Sequence, residues 1–267
     1  LIELRRLGKQ IAGGMRCMQK ISIVTGTLNR KPYLTTLLNN TVWADHRIEL
    51  VLVDGGSTDG TIELMEHLSN VERRIKFIQV GERSSYPHYM NLGIEHASHE
   101  LVCQWNDDVI LVNNWDDVFK EIDEDHDAYL FNWKTGHIED KDNDNWLTCN
   151  YMRDNGWIII NNAEFSYPQS AGEASGEIVM NYGIYKKDVF RKYGLYNKHY
   201  RYYCADGEMS MRAFYGGCKF KSCVDIKVLV LPAEKRAIMD NMDVSRYHTA
   251  CNEFGNNSYE FSGEFLK

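Results

Sequence analysis

The sequence predicts a single α/β domain whose central sheet is mostly parallel and flanked by helices. Three observations carry that prediction. Apolar runs of strand length alternate with segments whose apolar residues recur at helical spacing, the order that gives parallel pairing through right-handed crossovers. The best-marked run, Leu50-Val51-Leu52-Val53, empties into the glycine-rich bend Asp54-Gly55-Gly56-Ser57-Thr58-Asp59-Gly60-Thr61 and then into a helix start. The third is bulk: 267 residues, of which 43% are hydrophobic, suffice for one large domain with a buried core and not clearly for two. We place the domain at residues 21–231, divided into halves at 21–112 and 113–231, with an N-terminal extension at 1–20 and a C-terminal tail at 232–267.

Ile21-Ser22-Ile23-Val24-Thr25-Gly26-Thr27 reads as the first strand, and Pro32 in a first helical turn followed by Tyr33, Leu34, Leu37 and Leu38 opens the first helix. Residues 49–53 form the second strand, covered on both faces, and Ile62, Met65 and Leu68 mark a helix over 59–68. A third strand follows at 75–80, a helix at 88–97, and a fourth strand at 101–105 that ends in Asn106-Asp107-Asp108. This order brings the strand ends at Thr25, Asp54, Gly81 and Asn106 to one edge, where open α/β sheets take their ligands. Beyond Val109 the pattern loosens to a helix at 115–122, a strand at 128–133 and a polar, acidic surface loop at 134–150. Strands at 157–160 and 178–184, a short helix at 186–192, a helix from Ala205 stopped by Gly216-Gly217 and an apolar strand at 224–231 complete the domain. The tail from Pro232 carries no fold signal, and no internal repeat is present.

The chain carries 30 Lys and Arg against 38 Asp and Glu, a formal charge of -8, with no basic stripe, which disfavours nucleic acid as a partner. Its seven cysteines (17, 103, 149, 204, 218, 223, 251) are odd in number and lack paired short spacings. Free thiols in a reducing, cytoplasmic setting are the simplest account. No run approaches the roughly 20 apolar residues of a bilayer span. No transmembrane segment is therefore expected, and any membrane association is expected to be peripheral. Residues 1–20 lack an apolar core and read as neither a secretory signal nor a strong strand.

Asp54 stands where a strand ends at the ligand edge. An isolated Asp-Gly-Gly more often shapes a turn, and an Asp at the place of Asp59 more often caps a helix. What raises Asp54 above that reading is its neighbour on the same edge. Asn106-Asp107-Asp108 sets two adjacent carboxylates between apolar Trp105 and Val109-Ile110-Leu111. Taken alone such a pair is a solvated turn. Carboxylate oxygens are also hard ligands suited to Mg²⁺ or Mn²⁺, ions that commonly bridge one or two protein carboxylates to substrate phosphates.

Residues 21–30, residues 51–61, the stretch Tyr86-Pro87-His88-Tyr89-Met90-Asn91-Leu92-Gly93-Ile94 and the triplet Asn106-Asp107-Asp108 come in the order and spacing of family 2 glycosyltransferases. The chain resembles an inverting member of that family, with a Rossmann-like glycosyltransferase-A domain. The resemblance implies a nucleotide-binding half at 21–112 and an acceptor half at 113–231. It assigns Asp54 to the nucleotide base, with Thr25 and Asn91 in the nucleotide site, and Asn106 and Asp107 near the ribose and diphosphate. Asp108, in the Asp-x-Asp role, becomes the principal ligand of a divalent cation, Mn²⁺ or Mg²⁺. Asn106 stands where the commonest version has Asp, and Met90 where many members carry Arg. Downstream, Cys204-Ala205-Asp206-Gly207-Glu208-Met209-Ser210-Met211-Arg212 resembles the acidic segment at the start of the acceptor-side helix. That makes Asp206 the catalytic base and puts Glu208 and Arg212 on the acceptor side. Without the resemblance, Asp206 reads as a helix N-cap and Arg212 as a solvated helix face. His248 is a candidate late ligand to the metal, against the commoner reading of a lone tail histidine as incidental. Tyr200, Tyr202 and Tyr203 are candidates for a sugar-stacking surface or for packing.

The implied activity is metal-dependent transfer of a sugar from a nucleoside-diphosphate donor, a UDP-sugar favoured, to a hydroxyl of a glycan or glycolipid-like acceptor. Asp206 takes the hydroxyl proton, and the loop at 134–150 closes over the reactants. A nicotinamide-dependent oxidoreductase is disfavoured because Thr25-Gly26-Thr27-Leu28-Asn29-Arg30 lacks the Gly-x-Gly-x-x-Gly pattern. Sugar nucleotidyl transfer is disfavoured by the lack of a Gly- and Lys/Arg-rich phosphate loop there. A catalytically silent nucleotide-sugar or glycan binding module of the same fold is the remaining alternative, and a turnover assay separates the two.

Overall fold

A computed structural model describes residues 19–142, 147–148, 153–154, 157–158, 182–232 and 241–255. Four strands, β1 (Ile21–Thr27), β2 (Ile48–Asp54), β3 (Ile75–Gln79) and β4 (Leu101–Gln104), lie parallel in the spatial order β3-β2-β1-β4. Helices α1 (Lys31–Asn40), α2 (Thr61–Val71) and α3 (Tyr86–His96) connect them. After them come β5 (Val109–Leu111), α4 (Trp115–Glu121), β6 (Ala128–Thr135), and the short strands β7 (Leu147–Thr148), β8 (Arg153–Asp154) and β9 (Trp157–Ile158). The chain then forms β10 (Gly183–Lys186), α5 (Lys187–Tyr193), α6 (Ala205–Tyr215), β11 (Phe220–Val230) and α7 (Asn241–Gly255).

The expected parallel sheet ends at β4. Beyond it the order runs β4-β10-β6-β11-β5, with β10 antiparallel to both neighbours, β11 parallel to β6 and β5 antiparallel to β11. The sheet is mixed because the strict strand-helix alternation that demands parallel crossovers stops after α3. The pleat sorts the core into two layers. Ile21 and Ile23 of β1 pack with Leu34, Leu37 and Leu38 of α1 on one face, while Val24 packs with Met90 and Ile94 of α3 on the other. Gly93 lets α3 lie close on β1, since a Cβ there would collide with the Val24 side chain.

Several boundaries differ from the sequence reading for local reasons. The bounds of β1 are the expected ones, Ile21–Thr27, but they put its end two residues beyond Thr25, the residue expected at the ligand edge. α2 starts at Thr61 because Gly60 adopts a left-handed φ of 86° and the Asp59 carboxylate accepts from the backbone N–H of both Thr61 (3.1 Å) and Lys31 (2.9 Å). The expected loop at 134–150 begins inside β6, and Leu147–Thr148 pairs antiparallel with that strand; its residues 143–146 and 149–150 lie outside the described residues. So do 178–181 and 159–160 of two expected strands, and residues 1–18 of the extension. Cys103, Cys204, Cys218 and Cys223 carry free thiols. Among the described residues no helix is long and apolar enough to cross a membrane.

The largest correction is in the tail, which contains α7. Asp243, Tyr247, Ala250 and Phe254 are all buried, a helical spacing present in the sequence but diluted by the Asn, Ser, Thr and His around it. Phe254 stacks on Tyr215 of α6 at 5.3 Å between ring centroids, and Tyr247 fills the space left by Gly207. Asp243 is fully buried, and its carboxylate accepts from the backbone N–H groups of Arg201 (2.9 Å), Tyr202 (2.9 Å) and Tyr203 (3.2 Å). Asp243→Ala strips that loop of its acceptor and should lower stability by about 1.5–3 kcal/mol, the range for hydrogen bonds to a charged group. Urea unfolding checks this; His248→Ala, exposed on the same helix, should leave the midpoint unchanged.

Candidate active site

The acidic triplet forms the turn between β4 and β5. Trp105 pins that turn by donating its indole N–H to the Val109 carbonyl (3.2 Å), and the Asp108 carbonyl accepts from the Leu231 N–H (2.8 Å). Asp107 is buried, and one of its oxygens accepts from the Thr27 hydroxyl at 2.8 Å. Arg30 reaches both carboxylates, 2.6 Å to Asp108 and 3.3 Å to Asp107. Burial pushes the Asp107 carboxyl up to about 6, against the pull of Arg30, with the neighbouring Asp108 charge adding to the rise. Burial alone would lower the Arg30 pKa, but the two carboxylates outweigh it and hold the guanidinium above its ordinary value. The pairing is thus favourable for the arginine without fully compensating the buried acid.

A cavity of about 260 Å³ opens beside this turn. The end of β1 (Gly26, Thr27, Leu28), Tyr86 and Tyr89 of α3, the triplet itself, and Arg83, Ser84 and Tyr202 line it. Tyr89 packs its ring on Gly26, and its hydroxyl lies over Gly55 and accepts from the Ser84 N–H at 2.5 Å. Either glycine replaced by a larger residue would collide with that tyrosine. The Arg83 guanidinium sits 5.3 Å from the centre of the Tyr202 ring.

Asp206 lies in the first turn of α6, after Cys204 in a left-handed conformation (φ 64°). It accepts from the Gly207 N–H at 3.0 Å, and burial raises its pKa. Its charge is felt by Tyr86 and Tyr182, two buried phenols held well above their ordinary range chiefly by burial. Tyr182 also feels Asp108, and its hydroxyl accepts from the Asn106 side-chain amide at 3.2 Å. Tyr182 is therefore within reach of both the triplet and Asp206, while Tyr86 shares the cavity wall with the triplet and feels Asp206.

Other expected site residues sit elsewhere. Thr25 is buried within β1, its hydroxyl donating to the Gly26 carbonyl. Asp54 is fully buried, and its carboxylate holds its own turn, accepting from the N–H groups of Gly56 (2.8 Å) and Ser57 (2.9 Å) and from the Ser57 hydroxyl. Tyr89 stands between the cavity and Gly55, the residue next to Asp54. Asn91 clasps the backbone of Tyr196 through two bonds of 2.8 Å. Glu208 and Arg212 form an interior ion pair, two bonds of 2.9 and 3.0 Å, and Arg212 also donates to the carbonyls of Tyr193 and Leu195. Arg212 is thus neither on a solvated face nor at the cavity. His248 is exposed on α7, and no three His, Cys, Asp or Glu side chains gather as a metal set among the described residues. Tyr200 packs in the core, whereas Tyr202 reaches the cavity. Sequence reasoning missed Thr27, Arg30, Arg83 and Tyr89. Thr27 could have been found from its place two residues beyond Thr25, on the same face of the strand.

Two adjacent carboxylates at a cavity rim fit a hard divalent cation that completes its shell with substrate phosphates rather than a third protein side chain. Asp108 and Asp107 are the residues able to hold it.

Residues 22–194, well over half of the chain, match the model of Glycosyl transferase family 2. An uncharacterized glycosyltransferase of Haemophilus influenzae is 28% identical over 98 residues, 36% of this chain and 39% of that protein. The poly(ribitol-phosphate) beta-N-acetylglucosaminyltransferase TarS of Staphylococcus aureus is 32% identical over 118 residues, 42% of this chain and 20% of that protein. The chain therefore spans less than half the length of either curated relative in these matches. Among solved structures, S. aureus TarS 1–349 in complex with UDP-GlcNAc superposes with a TM-score of 0.62 at 18% identity, covering 92% of this chain and 73% of that one. A mannosyltransferase from Pyrobaculum calidifontis in complex with GDP-Man and Mn²⁺ gives 0.56 at 13% identity, covering 95% and 76%. Those likenesses establish a shared glycosyltransferase-A fold. With the family model extending from β1 through α5, the chain belongs to glycosyl transferase family 2.

Proposed function

We propose that the chain transfers a sugar from a nucleoside-diphosphate donor, a UDP-sugar favoured, to a hydroxyl of a glycan or glycolipid-like acceptor, with inversion at the anomeric carbon. The observation that carries this reading is the cavity lined by Asp107 and Asp108, with Tyr182 behind it feeling the charges of both Asp108 and Asp206. Relatives of known structure hold UDP-GlcNAc or GDP-Man, which supports a nucleotide-sugar donor. Asp108, with Asp107 beside it, would hold a divalent cation, Mn²⁺ or Mg²⁺, whose chemistry when bound is to neutralise charge developing on the leaving diphosphate. Asp206 accepts the proton of the acceptor hydroxyl as that oxygen bonds to the anomeric carbon and the carbon–diphosphate bond breaks on the opposite side. Burial suits Asp206 to the task, because a raised pKa makes a carboxylate a stronger base. Tyr86 and Tyr89 exclude water from one wall. The base contact proposed for Asp54 requires Tyr89 to give way, since its hydroxyl covers Gly55. An acidic chain of net charge -8 without a basic stripe favours a carbohydrate acceptor over DNA.

Asp206→Asn should bind donor nearly as the native chain does and lose about 10² to 10⁴ in transfer rate. Single-turnover kinetics beside UDP calorimetry tests this, and near-normal turnover, or a product retaining the donor's anomeric configuration, defeats the assignment. The sign of the pH dependence follows from the raised Asp206 pKa. Protonation below it removes the base, so kcat should rise with pH along an acid limb lying above the ordinary aspartate value of about 3.9. Excess EDTA, or Asp108→Asn, should abolish transfer; full activity in either removes the cation from the reading.

A further inference from the structure

The acidic pair already carries a cation of its own. The Arg30 guanidinium lies 2.6 Å from an Asp108 oxygen and 3.3 Å from an Asp107 oxygen, so one planar fork spans the two carboxylates that a divalent cation would use. Its position is built. The side chain is 17% exposed, lies 4.3 Å over the Tyr33 ring, and belongs to the residue directly before α1. The backbone on either side is tied down: Asn29 donates its N–H to the Ser57 hydroxyl (2.8 Å) and Lys31 donates its N–H to Asp59 (2.9 Å). Two adjacent carboxylates repel each other in a partly buried turn, and the guanidinium relieves that repulsion. A divalent cation at the same oxygens would face a positive charge a few ångströms away, and like charges repel more strongly in a partly buried turn than in water. Arginine and cation therefore exclude one another.

We propose that Arg30 is a displaceable internal counter-ion: it holds Asp107 and Asp108 while no divalent cation is present, leaves them when one binds, and then pairs with the diphosphate of the incoming nucleotide. This rests on the reading of Asp108 as a cation ligand. Once released, Arg30 remains directly before α1, two residues along the chain from Leu28 of the cavity wall. A diphosphate arriving there restores the pairing that the guanidinium has lost. Cation and nucleotide thus each ease the other's binding, and the coupling is reciprocal.

The test is titration of the full chain with Mn²⁺ alone, followed by free-Mn²⁺ electron paramagnetic resonance, and again with saturating UDP. Arg30→Gln should bind Mn²⁺ alone about tenfold or more tightly than the native chain, with Arg30→Lys in between because a point charge cannot bridge both acids. The tightening of Mn²⁺ by UDP should be larger in the native chain than in Arg30→Gln. Mn²⁺ should also raise the melting temperature of Arg30→Gln more than that of the native chain. Equal or weaker Mn²⁺ binding by Arg30→Gln, with native binding intact, overturns the counter-ion proposal alone. If no form binds Mn²⁺ even with UDP, the reading of Asp108 falls and the proposal with it. Should Arg30→Gln fail to fold, Arg30→Lys decides: tighter Mn²⁺ binding supports the proposal and unchanged binding overturns it.

Discussion

Two carboxylates side by side at the end of a buried strand must be neutralised, and much of the surrounding architecture meets that demand. Arg30 and Thr27 supply the partners, Thr27 as the last residue of β1 and Arg30 from the residue directly before α1. Their placement depends in turn on the bend after β2. Asn29 donates its N–H to the Ser57 hydroxyl at 2.8 Å, and Asp59 joins the starts of α1 and α2 by accepting from each. Asp54 keeps that bend in shape from below, while Gly56, with φ 89°, allows the bend to press against the Gly81 carbonyl, where a Cβ would come within 2.7 Å. The Asp-Gly-Gly-Ser run is thus the mount on which the arginine stands.

A second frame serves the other side of the site. Arg212 holds the carbonyls of Tyr193 and Leu195, and Asn91 clasps Tyr196, so residues 193–196 are gripped from α6 and from α3 at once. Tyr86 and Asp206 are carried by those same two helices. A buried ion pair such as Glu208 with Arg212 gains little net stability after desolvation, but losing one partner would leave an uncompensated charge. Among the described residues, the non-glycine residues with left-handed φ are Asn29 (54°), Tyr182 (59°) and Cys204 (64°). Asn29 directly precedes Arg30, Tyr182 carries the phenol that feels both Asp108 and Asp206, and Cys204 lies two residues before Asp206. Backbone strain concentrated where chemistry is arranged is a recurring feature of functional sites.

Strong periodicity made β1 to β4 and α1 to α3 legible, because each of these elements buries a face whose spacing is local to the chain. The mixed half was harder to read. The direction of β10 is decided by which strands it meets, and Gly183 and Lys186 find their partners in β4, some 80 residues earlier. The family resemblance singled out the triplet and Asp206, but could not tell which side chains turn inward. Glu208 and Arg212, four apart on a helix, look alike in sequence whether that face meets water or core. Thr25, Asp54 and Asn91 occupy motif positions, yet their hydrogen bonds go to backbone or to their own turn. Arg30 escaped notice because its partners lie 77 and 78 residues away, a pairing that no local pattern contains.

The hold of Asp243 on the loop at 201–203 also sets an order in time. The loop's first N–H waits for a carboxylate 42 residues further along the chain. A polypeptide emerging from the ribosome can pair β1 with β2 and bring Arg30 to its acids long before then. The approach to Asp206 cannot take its final shape until α7 has been made and has swung back. Tyr202 of the cavity wall belongs to that loop, so β1 to β4 and the acidic turn can be in place while the cavity still lacks its last wall.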